Sequence, residues 1–238
     1  MNQKYLIGVN LLHVVPGEVG GSEEYSVQVL SAFEENEQVE VEAVLYVLES
    51  FAEAHSDLCE KFETVICKIR GKNRLQRIIA ESTWLKLKTR KCDAVHHFGG
   101  RLPYFSNSIS AVTIHDLQPL EIPKNFSFIK QIFFKRSLPF TAKNSQILVS
   151  ISQSVVNKLA ERFDLKPENL STVSIGVKKV AKEPSRAGKP LTIFYPAATY
   201  PHKNHQVLIA AFEKIAQKHG DIRLVMSGAS GKADSQIR

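Results

Sequence analysis

The chain has 238 residues, of which 43% are hydrophobic and 23% charged, a balance that excludes a largely disordered chain. Its 31 basic side chains outnumber 24 acidic ones, giving a net charge of +7, which suits anionic partners but is also found in soluble proteins without them. We recognise no signal peptide and no apolar run long enough to span a bilayer. We therefore expect a cytoplasmic protein whose membrane contact is at most peripheral, at the inner face.

Apolar runs and helical patterns alternate along most of the chain. The predicted strands cover residues 5–12, 39–48, 64–69, 93–98, 111–114, 146–151 and 170–174. The predicted helices cover a segment capped by Ser22, then 57–62, 72–91, 128–141, and 155–163, which Ser152 caps. Strands that alternate with helices at this spacing predict an α/β fold with a doubly wound parallel sheet.

The composition changes after residue 176. Residues 177–190 are rich in Lys, Pro, Ser and Gly, which is typical of a linker. Beyond them, two predicted strands at 191–195 and 224–226 flank a predicted helix at 204–218. We predict an N-terminal domain at 1–176, a linker at 177–190 and the incomplete start of a second α/β domain at 191–238, because so few strands cannot form an independent core.

A glycine-rich loop joins the first predicted strand to the first helix and contains Gly17, Gly20 and Gly21. Ligands of open α/β sheets bind at the carboxyl ends of strands. Glycine lets the backbone approach a ligand closely, and a helix N-terminus attracts phosphate. The loop lacks the GxGxxG pattern of dinucleotide sites, and a plain strand-to-helix turn is the alternative interpretation.

Polar residues follow two further predicted strands. His115 and Asp116 come after the strand at 111–114, where the histidine can donate a hydrogen bond to a sugar hydroxyl or to developing negative charge. Asp116 can orient the loop or hold a hydroxyl, and the alternative is an Asx-type turn beside an exposed histidine. Lys203 precedes the helix at 204–218, where it can hold a diphosphate or simply be a solvated turn residue.

The sequence does not predict a metal site. His96 and His97 are adjacent on a predicted strand, so their side chains point to opposite faces and cannot readily chelate one ion. We expect one of them in the core and the other towards a cleft. The cysteines are scattered without CxxC spacing, which indicates free thiols; they are Cys59, Cys67 and Cys92.

Two basic segments raise the question of a membrane surface. Residues 72–91 predict one basic amphipathic helix, and residues 126–140 interleave aromatic side chains with cations such as Lys130. In the second segment we expect Phe128 to pack inwards and Phe134 to remain outside. The two segments can form a surface for anionic lipid, or a core helix with solvated cations. No nucleic-acid-binding signature accompanies them, so nucleic acid is not a predicted partner.

Five segments together resemble family 4 of the retaining glycosyltransferases, in family order and spacing. They are PGEVGGSEE at 16–24, TIHDL at 113–117, LVSISQS at 148–154, VSIGV at 173–177 and YPHKN at 200–204. The resemblance covers essentially the whole chain.

The resemblance implies a GT-B architecture, in which two Rossmann-like domains face each other across a cleft. It also implies transfer of a sugar from a nucleotide-activated donor to a hydroxyl of a glycan or lipid-linked saccharide, with retained anomeric configuration. By motif, Gly20 and Gly21 would approach the donor diphosphate or the acceptor, His115 would lie beside the transferred sugar, and Lys203 would hold the diphosphate. No metal, cofactor or covalent nucleophile is implied, because cations and a helix dipole stabilise the leaving diphosphate.

The sequence departs from the family pattern in the second domain. Residues 196–199 are Pro-Ala-Ala-Thr where the family often has Gly-Arg, and the family's paired glutamates belong further along than Arg238. One alternative is a non-catalytic or half-enzyme module that needs a separate C-terminal chain. A sugar-nucleotide epimerase of the same two-domain fold is another, and the absent GxGxxG pattern disfavours an NAD-dependent dehydrogenase.

Overall fold

The computed structural model describes residues 4–18, 20–34, 40–106, 109–176, 190–231 and 233–237. The chain divides into two compact units, Met1–Val177 and Lys178–Arg238. All but the last residue of the predicted linker 177–190 lies outside the described residues. No helix in the described part of the chain is both long and apolar enough to cross a membrane.

The first unit is built on a seven-stranded parallel sheet. Its strands are β1 Tyr5–Asn10, β2 Val41–Leu48, β3 Glu63–Cys67, β4 Ala94–His97, β5 Ile109–Ile114, β6 Ile147–Ser150 and β7 Leu170–Thr172. They are arranged in the order β3-β2-β1-β4-β5-β6-β7. The chain thus winds outwards from β1 in both directions, which confirms the doubly wound, Rossmann-like α/β fold.

Eight helices connect these strands in the described part of the first unit. They are α1 Gly21–Glu34, α2 Glu49–Ala54, α3 Ser56–Cys59, α4 Arg74–Ser82, α5 Trp84–Lys88, α6 Gln118–Glu121, α7 Phe128–Asn144 and α8 Gln153–Phe163. One apolar cluster includes β1, β2, α1 and α2, and a second includes β5, β6, α7 and α8. The central strands are apolar because helices cover both faces of a doubly wound sheet.

The predicted helix 72–91 is instead two helices that meet at Thr83. The hydroxyl of Thr83 donates to the Ile79 carbonyl at 2.7 Å, and its backbone angles leave the helical region (φ −121°, ψ −68°). This local bond competes with the helical ladder. Two apolar side chains of α4 face solvent, Leu75 at 64% and Ile79 at 54% exposure, whereas Glu81 is only 5% exposed.

Four further local predictions concern helix caps and the helix α7. Ser152 caps α8 as predicted, accepting a hydrogen bond from the Val155 amide. Ser22 is the second residue of α1, which begins at Gly21, and not the residue that precedes the helix. The prediction that Phe128 packs inwards was wrong: it is 74% exposed, whereas Phe134 packs against the second apolar cluster. Pro139 lies inside α7, which continues to Asn144.

The second unit contains a short βαβ segment. Its elements are β8 Leu191–Pro196, α9 His205–Ala216 and β9 Ile222–Ser227. The two strands pair in parallel, as expected when a helix connects them. Large apolar side chains remain exposed, including Leu191 at 65% and Phe194 at 60%. The unit therefore has the predicted strand–helix–strand order with a limited core of its own.

Candidate active site

The candidate site lies at the carboxyl ends of β1, β4 and β5, near the point where the strand order reverses. Asn10 ends β1 and lies beside His97, which ends β4. The Asn10 side-chain amide nitrogen is 3.0 Å from His97 Nδ1 and 3.3 Å from a Glu81 carboxylate oxygen. Its carbonyl oxygen accepts from the Leu12 amide at 3.1 Å. Asn10 therefore connects two strand ends to α4.

His115 follows β5 and is held in a defined orientation. Its Nε2 donates to the Phe98 carbonyl at 3.0 Å, and its ring packs edge-on against Tyr25 with centroids 5.3 Å apart. Since a carbonyl only accepts, Nε2 carries the proton and Nδ1 is the unprotonated nitrogen of the neutral ring. Burial lowers the pKa of His115, and the Phe98 bond and Asp116 partly oppose this. The imidazole is therefore neutral at physiological pH.

Asp116 lies next to His115 but is itself exposed. Its Oδ1 accepts a hydrogen bond from the Gln118 amide at 3.0 Å, which is the local bond of an Asx-type turn. This turn leads the chain into α6. The alternative interpretation of Asp116 as a turn residue therefore describes part of what its side chain does.

The glycine loop is fixed by Glu23, which lies in the first turn of α1. One Glu23 carboxylate oxygen accepts from the Gly17 amide at 2.9 Å, and the other lies 2.8 Å from His55 Nε2. Gly17 and Gly20 have positive φ angles of 76° and 60°, which glycine adopts without strain. A single carboxylate thus links the loop to the end of α2.

Gly21 differs from the other glycines of the loop. It is the first residue of α1, and its backbone does not have a positive φ. A Cβ atom built on it would meet no described atom within 4 Å. The described structure thus gives no steric or conformational reason for glycine at this position.

His13 also belongs to the site, although no sequence pattern marked it. A Cβ at Gly99 would come within 2.9 Å of the His13 ring, so the two residues are in close contact. Both His13 ring nitrogens are buried with no hydrogen-bond partner among the described residues. Burial lowers the pKa of His13 to about 3, and His115 in its protonated form and the Arg77 charge act in the same direction.

The adjacent histidines of β4 both have structural partners. His96 Nε2 is 2.8 Å from the Thr113 hydroxyl, and His97 accepts from Asn10. Burial lowers the pKa of His96 to about 4 and that of His97 to about 3. Among the described residues, no group of three or more His, Cys, Asp or Glu side chains could hold a metal ion.

Lys203 belongs to the second unit and ends a short 3-10 turn, Pro201–Lys203. Asn204, with φ 56°, then leads into α9. The Lys203 carbonyl accepts from the Tyr195 hydroxyl at 2.6 Å, while its side chain is exposed. The structure thus places Lys203 just before the helix N-terminus, as predicted, and its role stays a prediction.

Comparisons with known proteins agree with this fold. No protein-family profile matches the chain. The O-antigen chain mannosyltransferase RfbU of Salmonella typhimurium is 23% identical over 200 residues, which cover 77% of this chain and 52% of that protein. The chain thus spans about half the length of this curated relative.

Solved structures extend the comparison to the fold. The lipopolysaccharide outer core galactosyltransferase WaaB has a TM-score of 0.58 at 13% identity, with 98% of this chain and 63% of that chain covered. HepE of Anabaena, solved with UDP and glucose, has a TM-score of 0.64 at 11% identity and the same coverage. The UDP-GlcNAc 2-epimerase of Neisseria meningitidis scores 0.56 at 8% identity, with 94% and 64% covered.

These similarities define the class of fold first. The chain has an α/β, Rossmann-like fold that matches glycosyltransferases of the GT-B type. The match in sequence is likewise to a glycosyltransferase, the mannosyltransferase RfbU.

Proposed function

We propose that this chain contributes to a retaining glycosyltransferase of family 4. It would transfer a sugar from a nucleotide-activated donor to a hydroxyl of a glycan or lipid-linked saccharide. His115 would contact the transferred sugar, Gly20 and Gly21 would line the approach of the donor or acceptor, and Lys203 would hold the donor diphosphate. The identity of RfbU as a mannosyltransferase supports the reaction class.

The observation that carries the proposal is the arrangement of His115. Its Nε2 is occupied by the Phe98 carbonyl, and its ring is fixed by Tyr25. The neutral Nδ1 can therefore accept a hydrogen bond from a sugar hydroxyl, whereas the donation expected from the sequence is taken up by the Phe98 carbonyl. Gly21, for which the described structure gives no steric reason, is the first residue of α1, and a helix N-terminus favours an anionic ligand close to its backbone.

A transfer assay tests the proposal directly. The 238-residue chain, and any longer protein that contains it, is incubated with nucleotide-activated mannose, galactose and glucose and with lipid-linked oligosaccharide acceptors. We expect incorporation of one sugar, and NMR of the new glycosidic bond should show the anomeric configuration of the donor. Absence of transfer from every donor by both proteins would reject the function, and an inverted linkage would reject the retaining assignment.

An epimerase is the second candidate, because the Neisseria 2-epimerase has nearly the same TM-score as WaaB. Fold similarity alone therefore does not separate the two activities. The sequence match to a mannosyltransferase favours the transferase. Incubation with UDP-GlcNAc and analysis of the C2 configuration would distinguish them, since conversion to the manno isomer without an acceptor requires an epimerase.

Asp116 is proposed to hold a substrate hydroxyl through its negative charge. Asp116→Asn keeps an oxygen that can accept from the Gln118 amide, so the turn should be retained. We expect a higher KM for the acceptor or donor at an unchanged melting temperature. An unchanged KM would limit Asp116 to its role in the turn.

We also propose peripheral contact with an anionic membrane. Phe128 and Ile129 are 74% and 80% exposed at the start of α7, and Lys130 follows them on the same exposed turn. Exposed apolar side chains beside cations favour the interface of anionic lipid. Co-sedimentation with phosphatidylglycerol vesicles should fall for Phe128→Ser/Ile129→Ser and not for Ile66→Ser. Equal sedimentation of all three proteins would contradict membrane contact through α7.

A further inference from the structure

Helix α4 is oriented with its charged stripe inwards. Arg74, Arg77 and Glu81 are spaced by three and four residues and share one helical face, and Glu81 is 5% exposed. Leu75 and Ile79 on the solvent side are more than half exposed. Burial of charge is costly unless it is paired, so an inward charged stripe calls for a partner.

The inward stripe lines a pocket of about 440 Å³. Five cations line it against one carboxylate; the six charged residues are Lys72, Arg74, Arg77, Arg101, Lys130 and Glu81. Glu81 is already engaged, by an ion pair with Arg101 and by the Asn10 amide. Glu18 is close enough to Arg77 to favour its charged form but does not line the pocket. The pocket therefore has a clear excess of positive charge.

Two arginines of the pocket each have one buried donor without a partner among the described residues. Arg77 donates through Nη1 to the His13 carbonyl at 2.7 Å, but its Nε is unpaired. Arg101 pairs through Nη2 with Glu81, while its Nη1 is buried and unpaired. Such groups usually find partners in proteins or their ligands. Arg77 and Arg101 are thus incompletely paired within the described structure.

Neighbouring positive charges in the pocket also repel one another and lower one another's pKa values. Burial lowers the pKa of Arg101 to about 10, and the charges of Arg74 and Arg77 act in the same direction. Arg74 lies over the Phe133 ring at 4.4 Å, which offsets part of its desolvation through a cation–π contact. An anion with several acceptor oxygens would offset this repulsion.

We propose that this pocket binds a phosphate group, carried by the acceptor of the transfer reaction. The idea rests on the proposed function for the identity of the phosphate carrier. Arginine is suited to phosphate because its planar group forms two parallel hydrogen bonds. The pocket adjoins the candidate active site through His13 and Gly99, and His115 is bonded to the residue before Gly99. A phosphate bound there would hold the acceptor beside His115.

Calorimetric titration of the full chain with inorganic pyrophosphate tests the pocket itself. We expect binding to weaken at least about tenfold in Arg77→Gln and in Lys72→Gln/Lys130→Gln, because each variant removes charged contacts. Lys72 and Lys130 are exposed, so the double variant should fold normally. Lys88→Gln/Lys91→Gln changes the same net charge on exposed positions outside the pocket and should bind like the unmodified chain.

All these proteins also carry Lys203→Gln, which removes the contribution of this lysine to anion binding in the second unit. Unchanged pyrophosphate affinity in both pocket variants would overturn the proposal. Two further titrations separate the sources of the phosphate. Farnesyl diphosphate that binds more tightly than pyrophosphate supports a lipid carrier, and glucose 1-phosphate that binds more tightly supports a soluble one.

Failure of this inference differs from failure of the proposed function. The pocket would be refuted if acceptors with and without a phosphate group had the same KM in sugar transfer, and if Arg77→Gln left that KM unchanged. The transferase would then still stand. Pocket-dependent pyrophosphate binding without transfer from any donor would refute the transferase and leave the anion site.

Discussion

Glu81 of α4 and Arg101, which follows β4, form a buried ion pair beneath the candidate site. Their side chains are 6% and 10% exposed. Asn10 adds a hydrogen bond to the carboxylate from the end of β1. The pair thus fixes α4 against the strand ends at which His97 and His115 lie.

We predict that Arg101→Leu destabilises the first unit by roughly 3–5 kcal/mol, because Glu81 loses its ion-pair partner while buried. Arg101→Leu/Glu81→Leu should be more stable than Arg101→Leu, since it leaves neither charge alone. Urea denaturation gives the free energy of unfolding for each protein. The exposed pair Lys158–Glu121 supplies the control, and Lys158→Leu should change stability by at most about 1 kcal/mol. Additive effects in the double variant would contradict the coupling.

The second prediction is that acid destabilises the first unit through three buried histidines. His13, His96 and His97 have folded-state pKa values of about 3, 4 and 3, against 6.5 for an unperturbed histidine. Below pH 6.5 the unfolded chain therefore binds more protons than the folded chain. The free energy of unfolding consequently falls as the pH drops from 6.5 towards 4. At pH 5 each histidine should contribute roughly 2 kcal/mol of destabilisation relative to neutral pH.

Urea denaturation between pH 7.5 and 4.5 checks this dependence. His97→Gln should show a shallower slope by about one proton, whereas His219→Gln in the second unit should not change the slope of the first. A free energy of unfolding that is constant over this range would refute the assignment of neutral, buried histidines.

The sequence predicted the sheet because parallel strands are apolar along their length, as in β2 and β5, and because Ser152 is a local capping signal. It did not reveal the pairing of Glu81 with Arg101, which are 20 residues apart. The sequence also did not show which face of α4 points inwards, since either its apolar or its charged stripe could face the sheet. The spacing of Arg74, Arg77 and Glu81 was a signal, but only the fold shows that it lines a pocket.

Gly71 supports a third prediction, on stability alone. It has φ 71°, and a Cβ there would lie 2.3 Å from Leu48 Cδ1. Gly71→Ala should destabilise the first unit by about 1–3 kcal/mol, because backbone strain adds to overpacking. Gly176→Ala meets no described atom within 4 Å and has no positive φ, so it should be neutral. Equal stability of the two variants in thermal denaturation would contradict this packing.

At Gly21, in contrast to Gly71, we expect an added methyl group to cost no stability. Gly21→Ala should leave the melting temperature unchanged or raise it, since alanine favours the helix by up to about 1 kcal/mol. If a ligand approaches this backbone, however, the added methyl group should lower sugar transfer at least about tenfold, with the effect in KM. Gly220→Ala, also in open space without positive φ, should leave transfer unchanged. Full activity of Gly21→Ala would show that no ligand contacts that position.

His115 provides the most direct test of the proposed transferase. His115→Ala should lower kcat by about 100-fold or more, since it removes an oriented polar group from the reacting sugar. Its stability should change little, because His115 is only partly buried and water can replace its bond to the Phe98 carbonyl. In the unmodified protein, burial lowers the pKa of His115, so kcat should be flat around neutral pH and fall only below pH 6.5, where Nδ1 becomes protonated. Near-normal kcat in His115→Ala, with folding confirmed by circular dichroism, would remove His115 from the site.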